Sequence, residues 1–186
     1  MEIKRIITGD LRENCYILIN NNDCLVIDPG FNSNKIIKEI INLNLIGILI
    51  THYHFDHIGA LNDLLKLKNV NIYDYKLDEK EYKINNFIFN IIKTNGHTND
   101  SVSFYFKNEN IMFVGDFIFK ETIGRTDLPS GSVNEMKESI NKIKKFDKNL
   151  IIYPGHGEYT TLDYELKNNL YLKGWFKIIL ILYLIL

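Results

Sequence analysis

At 186 residues the chain is long enough for one domain with a substantial core. A hydrophobic fraction of 46% and a charged fraction of 24% exclude a disordered or fibrous protein. The formal net charge of -1 comes from interspersed charges of both signs, which excludes a protein held by nucleic-acid phosphates because that needs a basic face.

Residues 3–7, IKRII, open the chain as a β-rich run. The apolar runs CYILI at 15–19 and CLVID at 24–28, joined by NNND, predict a hairpin with a four-residue loop. In that register Ile19 faces Cys24 and Cys15 faces Asp28, so the two cysteines of the chain sit on different rungs and do not pair. With no charged-then-apolar leader at the start, the expected compartment is the cytoplasm.

DPG at 28–30 reads as a turn, and Ser33 as the cap of a helix with the stripe Ile36, Ile37, Ile40 and Ile41. IGILI at 46–50 is a short, fully apolar strand, after which Ile58, Leu61, Leu64 and Leu65 return to helical spacing. The second half repeats this grammar, with strands at 69–75, 87–94, 101–106 and 111–115. Ser132 and Glu135 form a capping-box pair ahead of Val133, Met136, Ile140 and Ile143. A last strand at 149–154 precedes a helix near 163–170. Strands interspersed with helices predict an α+β protein of layered sheets covered by helices.

The end of the chain differs in character. IILILYLIL at 178–186 is an uninterrupted apolar run, far short of the roughly 20 residues a membrane span needs. The expected division is a domain over 1–170 and an apolar tail over 171–186, packed on the domain or on a second subunit.

Five histidines stand against that map. His52, His54 and His57 follow the strand at 46–50, His97 follows the strand at 87–94, and His156 follows the strand at 149–154. Asp116 follows the strand at 111–115 in the same way. A layered fold brings such strand ends to one edge, where binding loops sit. A single GHT or GHG reads as a glycine-rich turn, but HYHFDH crowds three imidazoles and a carboxylate into six residues with little apolar burial to offset them. Imidazole and carboxylate donors suit Zn²⁺, with Fe or Mn as alternatives. The five histidines with Asp56 and Asp116 are too many for one tetrahedral ion. Two divalent ions fit the donor count if they share one carboxylate.

These residues resemble the metallo-β-lactamase superfamily. THYHFDH at 51–57 is similar to its T-H-x-H-x-D-H signature, and His97, Asp116 and His156 occupy its later metal positions in order. The resemblance covers residues 3 to 170 and implies an αββα sandwich of two packed mixed sheets, with the site at one edge. It implies that His52, His54 and His97 hold the first ion, that Asp56, His57 and His156 hold the second, and that Asp116 bridges them. It also implies supporting roles for Asp28 and Thr51 behind the ligands. Within the superfamily, IGRTDLPSG at 123–131, ENCYIL and VIDPG resemble the glyoxalase II branch, the hydroxyacylglutathione hydrolases. There Arg125 and Asp127 read as a salt-bridged turn beside the ions, ahead of a direct contact with substrate.

Two departures bear on specificity. Nothing after residue 170 resembles the helical glutathione-binding domain of full-length glyoxalase II, and the stretch from Tyr75 to Phe87 is short. The resemblance therefore implies a metal-dependent hydrolase of a small anionic thioester, with hydroxyacylglutathione as one example. The nucleophile would be a hydroxide between the ions, and Asp56 and Asp116 the catalytic carboxylates. Two other readings stand beside it. One is a persulfide dioxygenase with a single iron on His52, His97 and Asp116; the other is a non-catalytic metal-bound interaction module.

Overall fold

Three layers of core, separated by two sheets, organise the molecule; the computed structural model describes residues 1–174. The expectation for the apolar run at 178–186 lies outside the described residues.

The first sheet is built from β1 (Glu2–Thr8), β2 (Glu13–Asn20), β3 (Asp23–Ile27), β4 (Asn44–Leu49) and β5 (Ile72–Tyr73), in that spatial order. Strands β1 to β3 are antiparallel, and β3, β4 and β5 run parallel. Their crossovers carry helices α1 (Ser33–Ile40), α2 (Phe55–Ile58) and α3 (Leu61–Leu67). The second sheet takes β6 (Glu81–Ile84), β7 (Phe87–Lys93), β8 (Val102–Phe106), β9 (Ile111–Gly115), β12 (Ile151–Pro154) and β13 (Thr160–Thr161), in the order β13-β12-β9-β8-β7-β6. A small hairpin, β10 (Ile118–Phe119) with β11 (Thr122–Ile123), follows β9. Helices α4 (Val133–Ile143) and α5 (Leu162–Asn168) complete the chain order around β12 and β13.

Strand β2 shows why the layers form. Its side chains alternate between faces, so Cys15, Ile17 and Ile19 pack with Ile36, Ile40, Leu61 and Leu64 of α1 and α3. Tyr16 and Leu18 point the other way, into an aromatic-rich core with Phe87, Phe89, Phe104 and Phe113 of the second sheet. Strand β9 alternates likewise: Phe113 faces the first sheet, while Met112 and Val114 pack with Met136, Ile140, Ile143 and Leu162 of α4 and α5. This is an αββα sandwich, as expected. Leu172 is buried in the same outer layer as α4.

Several local expectations change. The predicted hairpin keeps its register, with Ile19 opposite Cys24, but Asn20 also pairs with Asp23 and leaves a two-residue turn. Ser33 is the first helical residue and not the cap. The chain enters α1 through left-handed Asn32 (φ 65°), whose side chain accepts the Gly9 amide at 2.9 Å and caps nothing. Ile41 is exposed, so only Ile36 and Ile40 of that stripe are buried. The run at 69–75 forms a strand only at Ile72–Tyr73. Helical spacing after residue 57 resolves into two short helices. Ser132 caps α4 by accepting the Glu135 amide at 3.3 Å. Its own amide, which a capping box would give to Glu135, donates instead to Gly96 O at 2.8 Å and ties α4 to the His97 turn.

Candidate metal centre

The carboxyl ends of β4, β7, β9 and β12 meet along one edge and deliver the donors. His52 and His54 follow β4, His97 follows β7, Asp116 follows β9, and His156 follows β12. Asp56 and His57 lie on α2, and the helix, not a loop, directs both side chains inward.

His54 Nδ1 lies 3.0 Å from His52 Nε2 and 3.0 Å from His97 Nε2, and Asp116 Oδ2 is 3.5 Å from His97 Nε2. Donors on a tetrahedral Zn²⁺ at about 2.0–2.1 Å stand roughly 3.3 Å apart, so these four atoms match the edges of one coordination shell. A second group joins Asp56, His57 and His156, with His156 Nε2 3.2 Å from Asp56 Oδ2. Asp116 reaches it too: Oδ1 is 3.3 Å from His57 Nε2, and Oδ2 is 3.7 Å from His156 Nε2. His57 Nε2 and Asp116 Oδ1 are buried without a hydrogen-bond partner among the described residues. Two lone-pair donors facing each other unpaired are what a shared cation would satisfy.

Four of the five imidazoles have their far nitrogen engaged by the protein. His97 Nδ1 donates to Arg125 O at 2.7 Å, His156 Nδ1 to Leu11 O at 3.0 Å, and His57 Nδ1 to Asp28 Oδ2 at 3.0 Å. His52 Nδ1 meets Thr51 Oγ1 at 3.2 Å, while that hydroxyl donates to Asp28 Oδ2 at 2.6 Å. Each bond turns Nε2 toward the centre and fixes the tautomer. Asp28 thereby supports one histidine of each group. It holds this position with left-handed backbone (φ 46°), secured by Thr51 N donating to Oδ1 at 2.7 Å. The end of β9 can approach because residue 115 is glycine (φ 53°): a Cβ there would stand 2.3 Å from Thr51 Oγ1.

The electrostatics divide the two groups. Burial pushes His52 well below the usual imidazole range, and burial with the neighbouring His97 lowers His54, so both are neutral donors. Burial also opposes charge on His57 and His156, but Asp116 with Asp28, and Asp56 with Asp116, outweigh it and raise both. Asp116 is held well below the carboxylate range: burial would raise it, and His57, His52 and His156 override that.

Glu13, which sequence reasoning did not single out, is fully buried behind His57, with Oε1 3.9 Å from Nδ1. Glu13, Asp28 and His57 could also group around an ion, but His57 Nδ1 is already committed to Asp28. Arg125 and Asp127 form a two-pronged pair, with Nε–Oδ1 and Nη2–Oδ2 both 2.9 Å, and both side chains are largely exposed.

The sequence matches the family described as the metallo-beta-lactamase superfamily over residues 8–85 and 75–156. The chain belongs to this superfamily. Hydroxyacylglutathione hydrolase GloC of Haemophilus influenzae is 29% identical, over 94% of this chain and 99% of its own, and the chain falls in the glyoxalase II-like branch. Among solved metallo-β-lactamase folds, BLEG-1, a B3 metallo-beta-lactamase, superposes with TM-score 0.88 and 30% identity over 92% of this chain and 99% of its own. TTHA1623, in a di-iron-bound form, gives TM-score 0.83 and 26% identity over 91% of this chain and all of its own. This superfamily's metallo-hydrolase chemistry accounts for a divalent-metal centre at this edge, with two donor groups in place.

Proposed function

We propose that this protein hydrolyses a small anionic thioester with two divalent ions, one on His52, His54 and His97 and one on Asp56, His57 and His156, with Asp116 shared. The observation that carries this reading is the position of Asp116, within 3.3–3.7 Å of His57, His97 and His156 at once. The likeness to a hydroxyacylglutathione hydrolase supports the thioester class. Zn²⁺ leads on donor chemistry, and the di-iron form of TTHA1623 supports Fe as the alternative.

Two ions held there would supply a water deprotonated near neutral pH and a Lewis acid for the carbonyl oxygen. The side chains do the rest. Asp56 Oδ2, which lies 3.2 Å from His156 Nε2, would accept a hydrogen bond from the nucleophile and orient it toward the carbonyl carbon. The hydroxide oxygen would form the new C–O bond as the C–S bond breaks. The leaving thiolate takes the proton of the new acid, so thiol and carboxylate depart, and the proton first lost by the water goes to solvent. Asp28 and Thr51 keep His52 and His57 from rotating. Arg125 and Asp127 brace the flanking loop, and two dications with two aspartates and a hydroxide would leave net positive charge that favours an anionic substrate.

Elemental analysis of protein purified without chelator, followed by assays with S-lactoylglutathione, a cephalosporin and glutathione persulfide, tests the reading. Two ions per chain with thioester cleavage fastest is the expected result. A single iron with oxygen uptake on the persulfide would replace it with dioxygenase chemistry. Faster β-lactam opening would place the protein functionally with BLEG-1.

A further inference from the structure

Glu13 is the one buried carboxylate near the centre that the proposed reaction leaves without a role. Its side chain is 0% exposed, Oε2 accepts from Thr8 Oγ1 at 2.7 Å, and Oε1 has no hydrogen-bond partner among the described residues. An unbonded buried carboxylate oxygen is costly and calls for a reason. Oε1 is aimed at the ring of His57, 3.9 Å from Nδ1, on the side away from Asp116. The fit is enforced by the surroundings: a Cβ on Gly30 would stand 2.2 Å from Glu13 Oε2 and 2.4 Å from Asp56 O.

The same residue reaches a second ligand through its main chain. Glu13 forms a β-bridge with His156, and the next amide, Asn14 N, donates to Gly155 O at 2.7 Å. The Asn14 side chain adds donors to Pro154 O at 3.0 Å and Gly157 O at 2.8 Å, so the His156 loop is hung on the start of β2. His57 and His156 belong to the same donor group.

We infer that Glu13 is a positioning residue for the second ion alone, bracing His57 with its carboxyl at the place where Asn14 ties the His156 loop to β2. The inference rests on the two-ion reading above. A cation on Nε2 of His57 draws electron density from the ring and polarises Nδ1–H. Asp28 Oδ2 accepts the hydrogen bond from Nδ1–H while also accepting from Thr51, so a further carboxyl oxygen behind the ring adds attraction that the first donor group does not share. Partners one step behind a metal ligand tune affinity by about 10–100-fold.

Titration of chelator-stripped protein with Zn²⁺ by calorimetry, and the visible spectrum of the Co²⁺-loaded protein, test this. For Glu13→Gln the expected result is a second-ion affinity lowered by about 10–100-fold with the first ion unchanged, and loss of only part of the cobalt spectrum. Unchanged affinity for both ions overturns the inference. Equal weakening of both also overturns it, because that is a general structural effect. If Glu13→Gln does not fold, Thr8→Val releases Oε2 with little change of shape; a smaller selective loss at the second ion supports the inference, and none overturns it. Wild-type protein that binds one ion only fails the two-ion reading itself, and the inference falls with it.

Discussion

The main-chain carbonyl of Arg125 accepts a hydrogen bond from His97 Nδ1 at 2.7 Å, so this loop holds His97 by its backbone and not by its guanidinium. The Arg125 side chain instead pairs with Asp127 in solvent. Arg125→Ala keeps the carbonyl. Metal content is expected to stay at the wild-type value, and stability to change by less than about 1 kcal/mol, the scale of an exposed ion pair. Thioester kcat/KM should fall less than about fivefold if the pair only braces the turn. A fall beyond about 100-fold, carried by KM, would mean that the guanidinium binds substrate directly, worth about 1.5–3 kcal/mol as a charge-assisted bond.

Asp116 touches both donor groups, and its replacement separates fold from chemistry. Asp116→Ala should leave the circular dichroism spectrum unchanged and lower kcat/KM by at least about 100-fold, the loss that follows removal of one preorganised electrostatic group. Metal content should drop below two. Full activity in this variant would disprove the shared-carboxylate assignment.

Gly155 has room for hydrogen only. An added Cβ would stand 2.4 Å from Asp116 Oδ1 and 2.6 Å from His57 Cε1. Gly155→Ala is therefore expected to displace both donors, costing about 1–3 kcal/mol by overcrowding and lowering metal content. Denaturant unfolding and elemental analysis check the two effects separately. A variant that retains two tightly held ions would show that Asp116 does not sit as described.

Cys15 and Cys24 are free, and both are buried. Burial pushes the Cys24 thiol up to about 11, and burial together with Glu13 and Asp28 raises Cys15 well above the ordinary thiol range. Neither thiolate forms near pH 8, and neither sulfur is reachable. The native protein should not react with an aromatic disulfide reagent, whereas the unfolded chain should release two equivalents. Fast labelling of one native thiol would show that the layer between β2 and α1 opens.

How much of this was legible depended on how local each signal is. Layered sheets follow from short, uninterrupted apolar runs such as 15–19 and Ile111–Gly115, which need cover on both faces, while the αββα arrangement came from the resemblance carried by THYHFDH. Short strands did not announce themselves. Glu81–Ile84 is four residues long, with Glu81 and Lys83 exposed and only Tyr82 and Ile84 packed against the core, and the two-residue strands β10, β11 and β13 are too brief for any periodicity. Ser33 misled because the propensity of serine for caps is local, while the entry angle into α1 is set by Asn32 reaching Gly9.

The sequence by itself determined the donor chemistry, because three imidazoles and a carboxylate within six residues have no apolar explanation, and the later donors each follow a strand. Tertiary structure alone decided which atoms face the centre. That choice rests on carbonyls at Leu11 and Arg125, carried by every residue type and so invisible in a sequence, and on the close approach of Thr51 to Gly115. It also decided the place of Glu13, which reads as an ordinary strand residue until β2 pairs with the His156 loop and burial removes water from its carboxyl.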